Sequence, residues 1–323
     1  LFCLMAVVAG LQSCQLFSLM AQRLLSGKRS FRMVALLLVL LPFFTSMLVT
    51  NDVSLITFVP FAILVLQTIG RTEYLIPVIV LQTVAANLGS MATPVGNPQN
   101  LFLYASYSLD AGSFFGVMVP LTLLSLCGLL ASSLIFPKDA IQVDFTQRCT
   151  ITGKRQLILY VVLFLLCLLS VFRVLHYGIL TAIVAVLLLI TDRKILKRVD
   201  YFLLLTFVCF FVFAGNIGAI EQVKTFLEAL LDRSAVLSSI LASQVISNVP
   251  AAVLLAGFTD DWHGLLVGTN LGGMGTLIAS LASLISFKFY AALPEAKSGR
   301  YLAVFTLVNV VGLLILVPLS FLL

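Results

Sequence analysis

Residues 87–93 read Asn-Leu-Gly-Ser-Met-Ala-Thr, and residues 270–276 read Asn-Leu-Gly-Gly-Met-Gly-Thr. Five of the seven positions match, 183 residues apart. Both stretches lie inside apolar runs, where Leu and Val coincide by composition alone. Asn, Gly, Met and Thr in the same order do not. Each stretch also follows a long apolar segment interrupted by an asparagine, Thr50-Asn51-Asp52 in the first case and Ser247-Asn248-Val249 in the second. The order hairpin, loop, broken helix therefore occurs twice.

The rest of the chain says where these blocks sit. Of its 323 residues 61% are hydrophobic and only 10% charged, with a mean hydropathy of +1.16. A soluble domain is roughly 45–50% apolar and about 25% charged. That excludes a soluble globule, a disordered chain and a disulfide-stapled module. The apolar runs are too long for the roughly ten-residue alternating strands of an outer-membrane barrel and suit helices crossing a bilayer. The fold class read from the sequence is an all-α polytopic membrane protein with inverted-topology repeats, each holding a re-entrant helical hairpin and a broken transmembrane helix. The net charge of +6 sets membrane orientation rather than nucleic-acid binding, because no Arg-rich face with interleaved aromatics exists.

The basic residues fix the threading. Loops 23–32, 137–155, 192–200 and 288–300 carry fifteen of the nineteen Lys and Arg residues. With Arg71 they place sixteen on one face, read as cytoplasmic, and leave Arg173, Lys224 and Arg233 on the other. This requires segment 33–66 to enter and leave inside and segment 234–258 to enter and leave outside. The expected organisation has five parts. Residues 1–32 form an N-terminal scaffold helix, whose start inside an apolar run at Leu1 reads as a truncated transmembrane helix with further segments upstream. Residues 33–136 are repeat 1, with hairpin 33–66, broken helix 74–109 and helix 113–136. Residues 137–155 are a cytoplasmic linker. Residues 156–233 hold the second scaffold helices and an interfacial amphipathic helix, 221–233. Residues 234–323 are the transport part of repeat 2, with hairpin 234–258, broken helix 264–287 and helix 301–323.

Inverted repeats with discontinuous helices mark secondary transporters. Unwound backbone at membrane depth is tolerated only where it is buried in protein or lines a polar cavity. The candidate substrate- and ion-binding residues are therefore those at the breaks: Thr50, Asn51, Asp52, Asn87, Gly89, Thr93, Gly96, Asn97 and Asn100 in the first half, and Ser247, Asn248, Val249, Asn270, Gly272, Gly273, Gly275 and Thr276 in the second. Asp52 is the one charged residue assigned deep within a segment, which makes it the coupling candidate. Its rival role is to cap a second hairpin helix beginning at Val53. The glycines allow unwound backbone, although Gly264, Gly268 and Gly272 also have the spacing of tight helix packing. No catalytic residue is expected, and no H-E-x-x-H or Walker sequence is present.

The stretches Thr50–Pro60, Asn87–Asn100, Ser247–Leu255 and Asn270–Ile278 resemble the ion transporter superfamily of divalent-anion/sodium symporters, citrate transporters and arsenite permeases. The resemblance implies a scaffold domain and a transport domain, dimerisation through the scaffold helices, and elevator-like movement of a substrate held between tips and breaks. It implies Na⁺ near Asn51, Asp52 and Asn97, and near Ser247 and Asn248. The sodium-coupled carboxylate branch carries Ser-Asn-Thr at both tips, and both tips here lack the third hydroxyl.

The functional expectation is a secondary transporter in a prokaryotic inner membrane. It would move a small anion, a carboxylate or an inorganic oxyanion, coupled to H⁺ or Na⁺. No cofactor beyond a coupling ion is expected. The alternatives are a cation/proton antiporter or an arsenite permease using Asp52 and, more distantly, a membrane-embedded enzyme.

Overall fold

The computed structural model describes residues 1–143, 145 and 149–322. Asp144, Arg148 and Leu323 lie outside the described residues, so the place of Arg148 in the inward charge set is not seen. In chain order the elements are α1 (Phe2–Ser13), α2 (Leu16–Leu25), β1 (Gly27–Ser30), α3 (Phe31–Ser46), α4 (Asn51–Thr68), α5 (Leu75–Ser90), α6 (Pro98–Ser106), α7 (Ala111–Ser132), β2 (Ala140–Val143), α8 (Lys154–Val171), α9 (Tyr177–Thr191), α10 (Arg193–Leu196), α11 (Tyr201–Gly218), α12 (Glu221–Arg233), α13 (Ala235–Ile246), α14 (Asn248–Leu255), α15 (Trp262–Leu271), α16 (Leu281–Ala291) and α17 (Ser298–Ser320). The protein is an all-helical polytopic membrane protein. Among the described residues α4, α7 with the turn to Ile135, α8 and α17 are each long and apolar enough to cross a bilayer.

The chain divides into two compact units, residues 1–26 with 145–209 and residues 27–144 with 210–323. In the first unit α1 packs on α8 and α9. Gly10 makes room for the Tyr160 ring, since a Cβ there would lie 2.3 Å from the ring edge. The Tyr160 hydroxyl donates to Asp192 at 3.0 Å, tying α8 to the end of α9. The single N-terminal helix expected over 1–32 is instead two helices bent by 51°. The bend falls at Gln15, whose φ of 59° lies in the left-handed region.

The second unit carries both hairpins and both broken helices. α3 packs along α5 and α4, and α13 packs along α15 and α14. Gly264, Gly268 and Gly272 all face α13: added Cβ atoms would approach Ala235, Val236, Ser239 and Ser243 within 3 Å. The close-packing reading of that glycine series is therefore the one the geometry satisfies. α4 starts at Asn51, not Val53, so Asp52 is inside the first turn and Thr50 is the N-cap residue.

Two segments read as loops contain paired strands. β1 and β2 form an antiparallel ribbon with Gly27 opposite Val143 and Ser30 opposite Ala140. Four-residue strands are too short to show a period in sequence. Beside the ribbon, Arg32 donates to the carbonyls of Phe136 and Leu134 at 2.8 and 3.0 Å. Arg71 reaches Asp139 at 2.6 Å and stacks 5.5 Å above the Phe31 ring. The hydrogen bond to Asp139 raises the Arg71 pKa above its ordinary value. At the start of α7 the Ser113 hydroxyl and backbone N–H hold the capping Asp110 carboxyl below its usual range.

Candidate functional site

α5 ends at Ser90 and the chain resumes as α6 at Pro98, leaving residues 91–97 unwound. Asn97 caps α6 by accepting the Asn100 N–H at 2.9 Å, and Pro98 occupies the first helical position, where no amide donor is needed. Asn100 then turns its side-chain amide back into the break. It donates to the carbonyls of Ser90, Met91 and Thr93 at 3.5, 3.3 and 3.1 Å. One side chain thus satisfies the carbonyls that the break deprives of helical partners. Gly96 is obligatory here, because a Cβ would sit 2.1 Å from the Ser90 carbonyl oxygen.

The tip of the first hairpin docks on this break. The Asn51 N–H donates to Gly96 O at 3.2 Å, and the Thr93 hydroxyl donates to Met47 O at 2.5 Å. The Asn51 side chain donates to Asn87 Oδ1 at 2.9 Å and accepts the Asp52 N–H at 3.0 Å. Asp52 is half-buried at the second position of α4.

The second half repeats these contacts at matched positions, 197 residues later for the hairpin and 183 later for the break. The Asn248 N–H donates to Ala279 O at 2.9 Å, and the Thr276 hydroxyl donates to Gln244 O at 3.2 Å. Ser247 holds the tip at φ 73°, a strained conformation for a residue with a side chain. The break 272–280 has no counterpart of Asn100. Gln244, reaching over from α13, does the same work: it donates to the carbonyls of Gly272 and Met274 at 2.9 Å each and accepts the Thr276 N–H at 2.8 Å. Gly275 has a φ of 112°, and a Cβ there would meet Gln244 Oε1 at 2.2 Å.

The two halves are then joined by crossed bonds. Asn97, beginning the second part of the first broken helix, donates to Asn270 Oδ1 at 2.9 Å. Ser280, at the matched place in the second, donates to Asn87 Oδ1 at 3.2 Å. Asn87 also donates to Gly273 O at 3.3 Å, and Asn270 donates to Asn100 Oδ1 at 2.6 Å. The side chains of Asn51, Asn87, Asn97, Asn100 and Asn270 are all buried and all engaged with one another or with the breaks.

Asn248 differs. It is 5% exposed at the N-terminus of α14, and its side-chain amide makes no hydrogen bond among the described residues. Gly273 leaves it space, since a Cβ there would lie 2.8 Å from Asn248 Nδ2. Val249 is buried beside it, and Thr50 makes no capping bond with its side chain. Gly89 packs against α3, where a Cβ would lie 2.1 Å from Phe43 O. The seventeen candidates all lie in the second unit, at or beside the two tips and two breaks. Sequence reading missed Gln244, Ser90 and Ser280. The usable signal for Gln244 was an isolated amide in an otherwise apolar hairpin helix, four residues before the tip asparagine.

A site made of helix breaks, opposed hairpin tips and neutral amides inside an apolar bundle is that of a membrane transporter. The sequence pattern that defines the CitMHS citrate transporter family matches residues 1–260, and the chain belongs to that family. An uncharacterized transporter of Methanocaldococcus jannaschii is 32% identical over 98% of this chain and 86% of its own length. Inner membrane protein YbiR of Escherichia coli is 32% identical over 88% of this chain and 77% of its own. A transporter named arsB, from Dictyostelium discoideum, is 33% identical over a shorter stretch, 29% of this chain and 16% of its own. The protein is an integral membrane transporter and not an enzyme.

Proposed function

We propose that this protein is a secondary transporter of a small anion, a carboxylate or an inorganic oxyanion, bound between the two hairpin tips and driven by H⁺ or Na⁺. The observation that carries the reading is Asn248. It is the tip asparagine whose amide is not consumed by the surrounding network, and it stands at a helix N-terminus, where backbone N–H groups and the dipole favour negative charge. Citrate is the first probe because of the family.

The coupling ion binds near Asn51, Asp52 and Asn97, with Ser247 and Asn248 forming the second ion site. Asp52 supplies a charge at the tip opposite Asn248. The matched and crossed contacts support descent of the two halves from one inverted-topology repeat. That each tip meets the middle of a broken helix, and not its end, supports re-entrant hairpins. The basic loops 23–32, 137–155, 192–200 and 288–300 then face the cytoplasm from a prokaryotic inner membrane. Movement is elevator-like, and two copies pair through the scaffold helices.

The test is uptake into proteoliposomes of radiolabelled citrate, succinate and arsenite, each with an imposed Na⁺ or pH gradient. Gradient-driven uptake of a carboxylate, lost in Asn248→Ala and altered in ion dependence in Asp52→Asn, is the expected result. Carboxylate uptake indifferent to both substitutions overturns the site. A second reading, arsenite as substrate, draws on the arsB-named relative and on the neutral amides of the site. Arsenite uptake without carboxylate uptake would establish it.

A further inference from the structure

Helix α16 carries a buried polar stripe that transport at the tips leaves unused. Ser280, Ser283, Ser286 and Tyr290 follow at helical spacing and are 2%, 0%, 0% and 4% exposed. Leu281 and Lys288 lie on the exposed side of the same helix. At 1.5 Å per residue the stripe runs about 15 Å. Its upper end is the site itself, because Ser280 donates to Asn87. Its lower end is Tyr290, which lines a cavity of about 520 Å³ with Gln67, Glu73, Ile76, Lys297 and Arg300.

Within the stripe Ser280 donates to Asn87, Ser286 donates to Ala282 O at 3.3 Å and the Tyr290 hydroxyl accepts the Lys297 N–H at 3.0 Å, which leaves Ser283 between them. Ser283 Oγ has no partner. α16 packs on α4 and α5. Gln82 of α5, fully buried, donates to the carbonyls of Leu38 on α3 and Phe58 on α4, while its Oε1 has no partner among the described residues. α5 and α16 run antiparallel from the Asn87–Ser280 bond to the cavity lined by Ile76 and Tyr290, which puts Gln82 close to the level of Ser283. Tyr301 stacks on Tyr290 with ring centroids 5.0 Å apart; it is 0% exposed, and its hydroxyl has the Thr83 hydroxyl as a neighbour without completing a hydrogen bond of good geometry. A buried polar atom left without a partner is costly, and the usual remedy in a polar interior is bound water.

We propose that the Ser280–Ser283–Ser286–Tyr290 face of α16, with Gln82 and Tyr301, holds a column of water joining the asparagine site to the cavity at Lys297 and Arg300. The column hydrates the site from that side and gives a proton or hydrated ion a route off it. Its role in transport rests on the function proposed above; its existence does not.

The test is hydroxyl-radical footprinting of the full chain in nanodiscs, with radicals generated from water in place. Tyr301 should be modified about tenfold faster than Tyr160, which is as deeply buried but bonded to Asp192, because labelling follows bound water. Ser283→Val with Gln82→Leu should bring Tyr301 down to the Tyr160 rate. Ser283→Ala gives a second reading if the double variant does not fold. Equal labelling of the two tyrosines in the unmodified protein overturns the proposal. In the same proteoliposomes, coupled flux should fall about tenfold in Ser283→Val, as a broken water path requires. Flux unchanged while labelling is lost overturns the transport role alone. Strong Tyr301 labelling in a protein that carries nothing from the substrate panel sinks the transport reading and leaves the column standing.

Discussion

The two helix breaks solve one problem in two ways. In the first, residues 91–97 are buried apart from a half-exposed Thr93, and their carbonyls are gathered by Asn100, from the helix that follows immediately. In the second, Thr276 and Ile278 are exposed and the backbone is laced by Gln244, from the hairpin helix α13. The first break therefore carries its own stabiliser, whereas the second is complete only while its hairpin is in place. Movement of the second hairpin must unlace Gln244, and movement of the first leaves Asn100 where it was. Both breaks are docked on their tips by a matched pair of bonds, and the second is tied to its hairpin by the Gln244 side chain as well.

Exchanging the residues that make the difference tests this directly. The largest effect is expected from Asn100→Ser, which installs the residue found at the matched position, Ser283. Three buried carbonyls lose a shared donor, a loss of about 3 kcal/mol, read as a fall in thermal unfolding temperature. Stability within experimental error of the parent would break the comparison. Gln244→Met installs the matched residue of the first half, Met47. It should cost less, about 2 kcal/mol, because the second break is already partly open to solvent, and it should slow transport more than Asn100→Ser does at equal folded yield. A transport defect larger in Asn100→Ser than in Gln244→Met would reverse the assignment. The smallest effect is expected from Ser247→Gly. Relief of the strained φ should raise stability by about 1 kcal/mol, and a measured loss would show that the hydroxyl contact to Ala279 O outweighs the strain.

Much of this was legible in the sequence. Asn, Gly and Pro cluster between Gly89 and Asn100, and a polar tip interrupts each hairpin at Asn51 and Asn248; the backbone leaves the helix at these places, whereas the single prolines Pro42, Pro60 and Pro120 stay inside helices. The crossed bonds were not readable, because Asn97 and Asn270 meet through tertiary packing that no local pattern encodes. Gln244 was hidden for the same reason: its partners are 28 to 32 residues away. The ribbon failed for a different cause. Gly27–Ser30 and Ala140–Val143 are too short to alternate visibly, and Lys28 and Arg29 read as charges at a membrane surface. The bend between α1 and α2 depends on a left-handed Gln15, a conformation glutamine does not advertise.

That ribbon also closes a circle. Gly27 and Val143 are paired residues on neighbouring strands, so the 117 residues from 27 to 143 begin and end side by side. A stretch whose ends meet can be lifted out, inserted elsewhere or copied without dragging the rest of the chain with it. The first hairpin, its broken helix and α7 are therefore one closed stretch of chain, held to the second half by the side chains of Asn87, Asn97 and Asn100 and not by the run of the backbone.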